Sequence, residues 1–227
     1  LISAIDAGNE VVVKPSEHSP NTAALLQKII AAVFDPEQAK VVLGDASVGQ
    51  DLLNQKWDYI FFTGSTRIGK LVAQAAAQNL TPTTLELGGK NPCIIDASAS
   101  LKLAAKRIVW GKFINVGQTC IAPDYVLVHE AVHNRFIELL QAEIIRAYGS
   151  NPQKSPDYGR IINQAHWQRL VDLIQDGDIA HGGISDLTDL YLAPTLLVNI
   201  KQDSTLMTEE IFGPILPIIS YKNKAEL

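Results

Sequence analysis

Short β-branched or aromatic runs alternate with longer amphipathic stretches along most of the chain, and that alternation constrains the fold more than any other feature. In the first half the strand-like runs fall near residues 10–14, 40–43, 59–63 and 83–87. Helical patterns separate them. One opens at Ser19-Pro20, with the serine hydroxyl as a cap and proline in the first turn, and runs to about Phe34. A short one covers 48–54, and another follows Gly64-Ser65-Thr66-Arg67-Ile68-Gly69 as far as about Gln78. Strands joined through helices of this length require crossovers, which are right-handed and leave the strands parallel.

Gly88-Gly89 interrupts the pattern and is the candidate hinge between two domains, 1–87 and 88–227. The second half predicts strands at 93–96, 125–129, 195–198 and 215–221, and helices at 101–114, 132–148 and 164–175. A polar, proline-bearing stretch fills 150–157. The expectation is an α/β chain with a parallel, Rossmann-like sheet followed by a second α/β domain. With 227 residues, 47% of them apolar and 19% charged, both halves can bury a packed core. A formal net charge of −5 argues against a nucleic-acid footprint. No apolar run is long enough to cross a membrane, and no basic, apolar leader opens the sequence. Two cysteines in a chain of this length do not form a disulfide framework, so a reducing, cytoplasmic setting is expected. Residues 1–7 read as the tail of an amphipathic helix, and Lys224-Ala225-Glu226-Leu227 as the start of one, so the sequence is expected to be an internal piece, incomplete at both ends.

Three segments carry chemistry. Cys120 sits in Asn115-Val116-Gly117-Gln118-Thr119-Cys120, a polar turn after a helical stretch, where a thiol can act as a nucleophile if its pKa is lowered and a base is at hand. Cys93, inside Pro92-Cys93-Ile94-Ile95, fits the ordinary role of a small buried hydrophobe. Glu86, in Leu85-Glu86-Leu87-Gly88-Gly89-Lys90, ends a strand beside two glycines, a position from which a carboxylate can take a proton from water. Glu210 and Phe212 stand in Glu209-Glu210-Ile211-Phe212-Gly213-Pro214, which in isolation is a strand entry with a proline turn. Nearer the N-terminus, Lys14 and Glu17 follow the first strand and Gly44 closes the second. The segment from Gly64 through Ser65 to Gly69 links the third strand to its helix, where free amides attract phosphate. That segment is neither the Gly-x-Gly-x-x-Gly fingerprint nor a P-loop, and by itself it is an ordinary βα turn. The five histidines show no metal-ligand spacing and are read as surface or structural.

In this order the segments resemble the signature of the NAD(P)-dependent aldehyde dehydrogenases. Gly117-Gln118-Thr119-Cys120-Ile121-Ala122-Pro123-Asp124-Tyr125, Tyr158-Gly159-Arg160-Ile161-Ile162-Asn163 and Ala180-His181-Gly182-Gly183 are similar to the class-three, fatty-aldehyde branch. The resemblance implies a fold and a set of roles. Cys120 would be the nucleophile and Glu86 the base that activates the hydrolytic water. Lys14 and Glu17 would contact the adenosine ribose. Gly44, Gly64, Ser65, Gly69 and Leu87 would line the dinucleotide, and Glu210 and Phe212 would hold its nicotinamide end. The cofactor implied is NAD, with NADP possible, since Glu17 would repel a 2′-phosphate while the branch uses both. The substrate implied is an apolar aldehyde, fatty, aromatic or isoprenoid-derived, and the full-length protein would be a homodimer. Membrane association of the full-length protein stays open.

Members of the family also carry an upstream Pro-Trp-Asn-like segment whose asparagine helps hold the oxyanion, and no such segment occurs in this sequence. The piece alone is therefore expected to be weakly active or inactive. Two other readings stay open: a non-catalytic structural or binding protein that reuses the fold, and a cofactor-free cysteine hydrolase or acyl-transfer enzyme, which would need a histidine paired to the thiol.

Overall fold

The computed structural model describes residues 1–201 and 203–227. The chain divides into two compact units, Leu1–Glu86 and Leu87–Leu227. In the first, α1 (Ile2–Asp6) leads to β1 (Val11–Val13), α2 (Pro20–Val33), β2 (Ala39–Val41), α3 (Ala46–Leu53), β3 (Ile60–Thr63), α4 (Thr66–Gln78) and β4 (Thr83–Glu86). The alternation read from the sequence is present throughout. The parallel sheet expected here is carried by two parallel ladders, β1 on β2 with Val12 opposite Lys40, and β3 on β4 with Thr63 opposite Glu86. A recess of about 140 Å³ lies between Val12 of β1 and Ile60 of β3. Apolar walls from Leu52, Trp57 and Phe61 complete the recess.

Two caps show how local sequence sets these elements. Asp45 caps α3 by accepting from the Ser47 amide at 2.9 Å. Ser19 stands at the cap of α2 as expected, but its hydroxyl turns back to donate to the Ser16 carbonyl (3.4 Å) and makes no capping bond. The start of α2 rests instead on Pro20, whose fixed φ suits the first turn and which has no N–H to satisfy.

In the second unit, β5 (Pro92–Ile95), α5 (Leu101–Phe113), β6 (Tyr125–His129), α6 (His133–Tyr148) and α7 (Gln164–Leu173) follow the sequence reading closely. Then come β7 (Asp178–His181), β8 (Ser185–Asp186), β9 (Tyr191–Leu192), β10 (Thr195–Val198), α8 (Thr205–Thr208) and β11 (Ile215–Tyr221). A five-stranded sheet runs β5-β6-β11-β10-β7. Its first four strands are parallel, and β7 closes it antiparallel against β10. β11 lies between two neighbours and its residues 215–218 are buried without alternation, as a strand covered on both faces must be. β5 is one of the two edges, and Pro92 takes the first position there, where a missing N–H breaks no ladder. On α6, Phe136, Leu140 and Ile144 recur every fourth residue and are fully buried, while Arg135–Glu138 and Arg146–Glu143 pair on the outer face. These three side chains join Val126, Val128, Leu196, Leu197, Ile215 and Leu216 in one continuous core.

The elements that the sequence did not predict are β7, β8, β9 and α8. Two of these are strands of two residues and one is a helix of a single turn, too short for any periodicity to register. β7 reads Asp-Ile-Ala-His and leaves its first two residues exposed, so it carries no apolar alternation.

Candidate active site

The thiol loop of the second unit begins where α5 stops. Asn115, Val116 and Gly117 adopt successive positive φ values of 51°, 57° and 73°. For a β-branched residue such as Val116 that conformation costs on the order of 1–2 kcal/mol and persists only when the surroundings impose it. Here they do. Val116 is buried, and Gly117 is squeezed so closely that an added Cβ would run into the carbonyl of Gly213 and stand 3.0 Å from that of Lys112. The glycine thus lets the 210–214 segment pack directly against the thiol loop.

Two carboxamides then fix the loop. Gln118 accepts from the Ile162 amide (3.0 Å) and donates to the carbonyls of Arg160 (3.1 Å) and Asn115 (3.2 Å). Asn91 donates to the carbonyls of Cys120 (2.9 Å) and Ala122 (3.1 Å). The loop backbone is therefore held from both sides while the Cys120 side is exposed. Cys93 has the opposite environment: it is partly buried, packs against the core, and burial pushes its thiol pKa up. The Cys120 thiol is thus the more open of the two to a second molecule.

Glu210 and Phe212 stand on the segment packed against this loop. The Glu210 carboxylate accepts from the Gly89 amide at 3.1 Å, and a Cβ on Gly88 would collide with its Oε2. Gly88, read from the sequence as part of a hinge, thus has a packing reason to be glycine. Partial burial raises the Glu210 pKa, the Gly89 amide lowers it, and the nearby Asp124 charge raises it again. Phe212 takes a positive φ of 52°, and its carbonyl accepts from His166 Nε2–H at 2.7 Å. His166, read only as surface or structural, is half-buried and anchors this strained residue. Leu87 is half-buried at the start of the unit.

The remaining predicted residues belong to the first unit. Lys14 follows the end of β1 and pairs with Glu17 at 3.3 Å; its stem passes over Gly49 of α3. Glu17 is held below the usual carboxylate range by a hydrogen bond from its own backbone amide and by Lys14. Gly44 has φ +152°, and a Cβ there would run into Val48. Ser65 caps α4, accepting from the Ile68 amide at 3.4 Å, and Gly69 donates to the Ser65 carbonyl at 2.9 Å. Gly64 donates to the carbonyl of Glu86, whose exposed side chain ends β4. The ends of β1 and β3 and the start of α4 therefore offer a lysine, a carboxylate, a hydroxyl, glycines without Cβ and helix-terminal amides. That donor set fits the ribose and phosphate groups of a dinucleotide.

Sequence reasoning passed over Asn91, Lys90 and Asp124. Lys90 and Asp124 form a salt bridge, and Asp124 is buried. A charged residue in each of the two motif runs, next to the residues singled out, was the available signal.

The whole chain, residues 1–227, matches the aldehyde dehydrogenase family, and the chain belongs to that family. It is 51% identical over 226 residues to the 4,4'-diapolycopene-4,4'-dial dehydrogenase of Cytobacillus firmus, covering 100% of this chain and 50% of that relative. It is 49% identical over 226 residues to aldehyde dehydrogenase family 3 member B2 of Mus musculus, covering 100% of this chain and 47% of the other. Among solved structures, the substrate-bound state of Staphylococcus aureus AldH matches with a TM-score of 0.96 at 48% identity, over 99% of this chain and 50% of that one. The α/β fold and the class-three resemblance read from the motifs are borne out. The chain spans about half the length of the curated relatives it matches. Among the described residues no helix is long and apolar enough to cross a membrane.

Proposed function

We propose that the full-length protein oxidises an apolar aldehyde to its carboxylic acid with NAD(P), using Cys120 as nucleophile and Glu86 as base. The observation that carries the reading is the contrast between the two thiols: one exposed on a loop braced by Asn91 and Gln118, the other drawn into the core. The Cys120 thiolate adds to the aldehyde carbon, forming a C–S bond and a tetrahedral oxyanion. Its own backbone amide is one donor to that oxyanion, and a single such donor is typically worth about 3 kcal/mol. A dinucleotide held by these residues would supply the hydride acceptor for the tetrahedral carbon, and Cys120 would then carry the acyl group as a thioester. Glu86 takes a proton from water as the water oxygen adds to the thioester carbon. The C–S bond then breaks, releasing the acid and restoring the thiolate.

The other residues bind and orient. Glu210 accepts from a ribose hydroxyl, and Phe212 packs beside the nicotinamide end. Lys14 and Glu17 hold the adenosine ribose, and Gly44, Gly64, Ser65, Gly69 and Leu87 let the dinucleotide backbone approach. Glu17, ionised and exposed, disfavours a 2′-phosphate and tilts the choice toward NAD. An isoprenoid or fatty aldehyde is the proposed substrate class, on the strength of the relative named for 4,4'-diapolycopene-4,4'-dial. The test is dinucleotide reduction by the full-length protein with long-chain aldehydes against short polar ones. Turnover that prefers the long-chain aldehydes supports the reading. Turnover that survives Cys120→Ser, or none with any aldehyde in the unaltered protein, overturns it.

A further inference from the structure

The second unit contains a charged knot that none of these roles uses. Asp124, four residues after Cys120, is only 3% exposed. Its Oδ1 accepts from the Ile211 amide at 3.0 Å, and its Oδ2 pairs with the Lys90 ammonium. Lys90 also donates to the carbonyls of Leu206 and of Glu209, the latter at 2.9 Å. From the other side, the Arg169 guanidinium donates to the carbonyls of Glu210 (3.4 and 3.3 Å) and Ile211. Three stretches far apart in sequence, 88–91, 120–124 and 206–211, thus meet on one ion pair.

A buried carboxylate is costly unless both its charge and its lone pairs are answered. This one is answered by a lysine and by a backbone amide next to Glu210. These are directional contacts, and what they fix is geometry. Lys90 lies between Gly89, whose amide holds the Glu210 carboxylate, and Asn91, whose amide group holds the Cys120 carbonyl. Asp124 ends the thiol loop and grips the peptide that follows Glu210. Movement at the ion pair would therefore shift the carboxylate and the thiol loop together.

We infer that Asp124 and Lys90 are positioning residues that hold the Glu210 carboxylate and the Cys120 loop in one register, an inference that rests on the function proposed above. Neither residue is assigned contact with reacting atoms.

The test uses the full-length protein with Asp124→Asn, which keeps an acceptor for the Ile211 amide but cancels the charge, and with Lys90→Gln, which breaks the pair from the other side. Rates are counted per active site from the size of the NADH burst. The dinucleotide KM is expected to rise about tenfold or more in both variants, with the aldehyde KM moving less than about twofold. Combining Asp124→Asn with Glu210→Gln is expected to add little beyond the worse single change, because residues acting as one unit are non-additive. In the protein without dinucleotide, hydrogen exchange should quicken at the Gly89 and Ile211 amides while β6 keeps its protection. The inference is overturned by an unchanged dinucleotide KM, by additive effects, by exchange that quickens throughout the core, or by failure of both variants to fold. Absence of aldehyde oxidation in the unaltered protein would sink the proposed function, and the exchange experiment would still read the joint separately.

Discussion

The two units of this chain differ in the core that their own residues build. The first has strands of three or four residues, and its buried apolar side chains are few: Ala23, Ile30, Ala39, Val72 and Ala76. Leu25, Ile29, Val33, Phe61 and Leu71 stay exposed. The second has a five-stranded sheet and a continuous core of large aliphatic and aromatic residues. A core of that kind can impose local strain: among the described residues, non-glycine positive φ values at Asn115, Val116, Leu190, Asn199 and Phe212 fall there, against Leu80 in the first unit. The strained thiol loop thus lies in the unit with the larger core, while Lys14, Glu17, Gly44, Gly64, Ser65 and Gly69, proposed as dinucleotide contacts, sit at strand ends and helix starts of the other.

The sharpest way to break the comparison is at the two thiols. Cys120→Ser is expected to lower aldehyde oxidation by the full-length protein about 10⁴-fold or more, as loss of a covalent nucleophile does. Cys93→Ser should leave the rate per folded molecule within a few-fold. Equal losses would erase the distinction drawn between them.

Core truncation comes next. Phe136→Ala, which removes a fully buried ring from the second unit, is expected to cost about 3–5 kcal/mol in denaturant unfolding. Val72→Ala in the first unit should cost about 1–2 kcal/mol, since fewer methyl groups leave a smaller cavity. A reversed order would mean that the first unit is the better packed.

Lys112 sharpens the picture of what the second core tolerates. It is buried, and desolvation brings its pKa down to about 8 although Asp124 and Glu210 pull it upward. Below pH 8 the folded and unfolded chains both carry its proton, and the folded state bears the burial cost. Between pH 8 and the unfolded value of 10.5 only the unfolded chain keeps the proton, so this group's contribution to stability rises with pH. Lys112→Met is therefore expected to stabilise the protein by roughly 1–3 kcal/mol at pH 7. The gain should fade toward pH 10.5, as thermal melts across that range would register.

A smaller effect belongs to the rim of the first unit. Ser65→Ala removes the cap of α4 and should cost about 1 kcal/mol of stability. It should also weaken dinucleotide binding, measured by NADH fluorescence; unchanged binding would remove Ser65 from the proposed contacts.

Much of this arrangement was legible in the sequence because it is written in periodicity and punctuation. The helix read at 132–148 and the strand read at 215–221 are present as α6 and β11. The roles proposed for Cys120, Glu86 and Glu210 rest on residue chemistry together with the family resemblance. The rest depends on contacts between distant segments, which no local pattern encodes. Nothing near Ser19 reveals that its hydroxyl turns back to Ser16. Nothing near Gly117 says that Gly213 lies against it. Asp124 reads as a surface aspartate after a proline until the fold brings Lys90 and the Ile211 amide to it.

The most direct test is to look for the bond itself. Full-length protein carrying Glu86→Gln, mixed with dinucleotide and a long-chain aldehyde and quenched in acid, should yield a Cys120 peptide heavier by the acyl group, with one NADH formed per site. An unmodified Cys120 peptide after NADH has formed, or an acyl group found on Cys93 instead, would contradict the account.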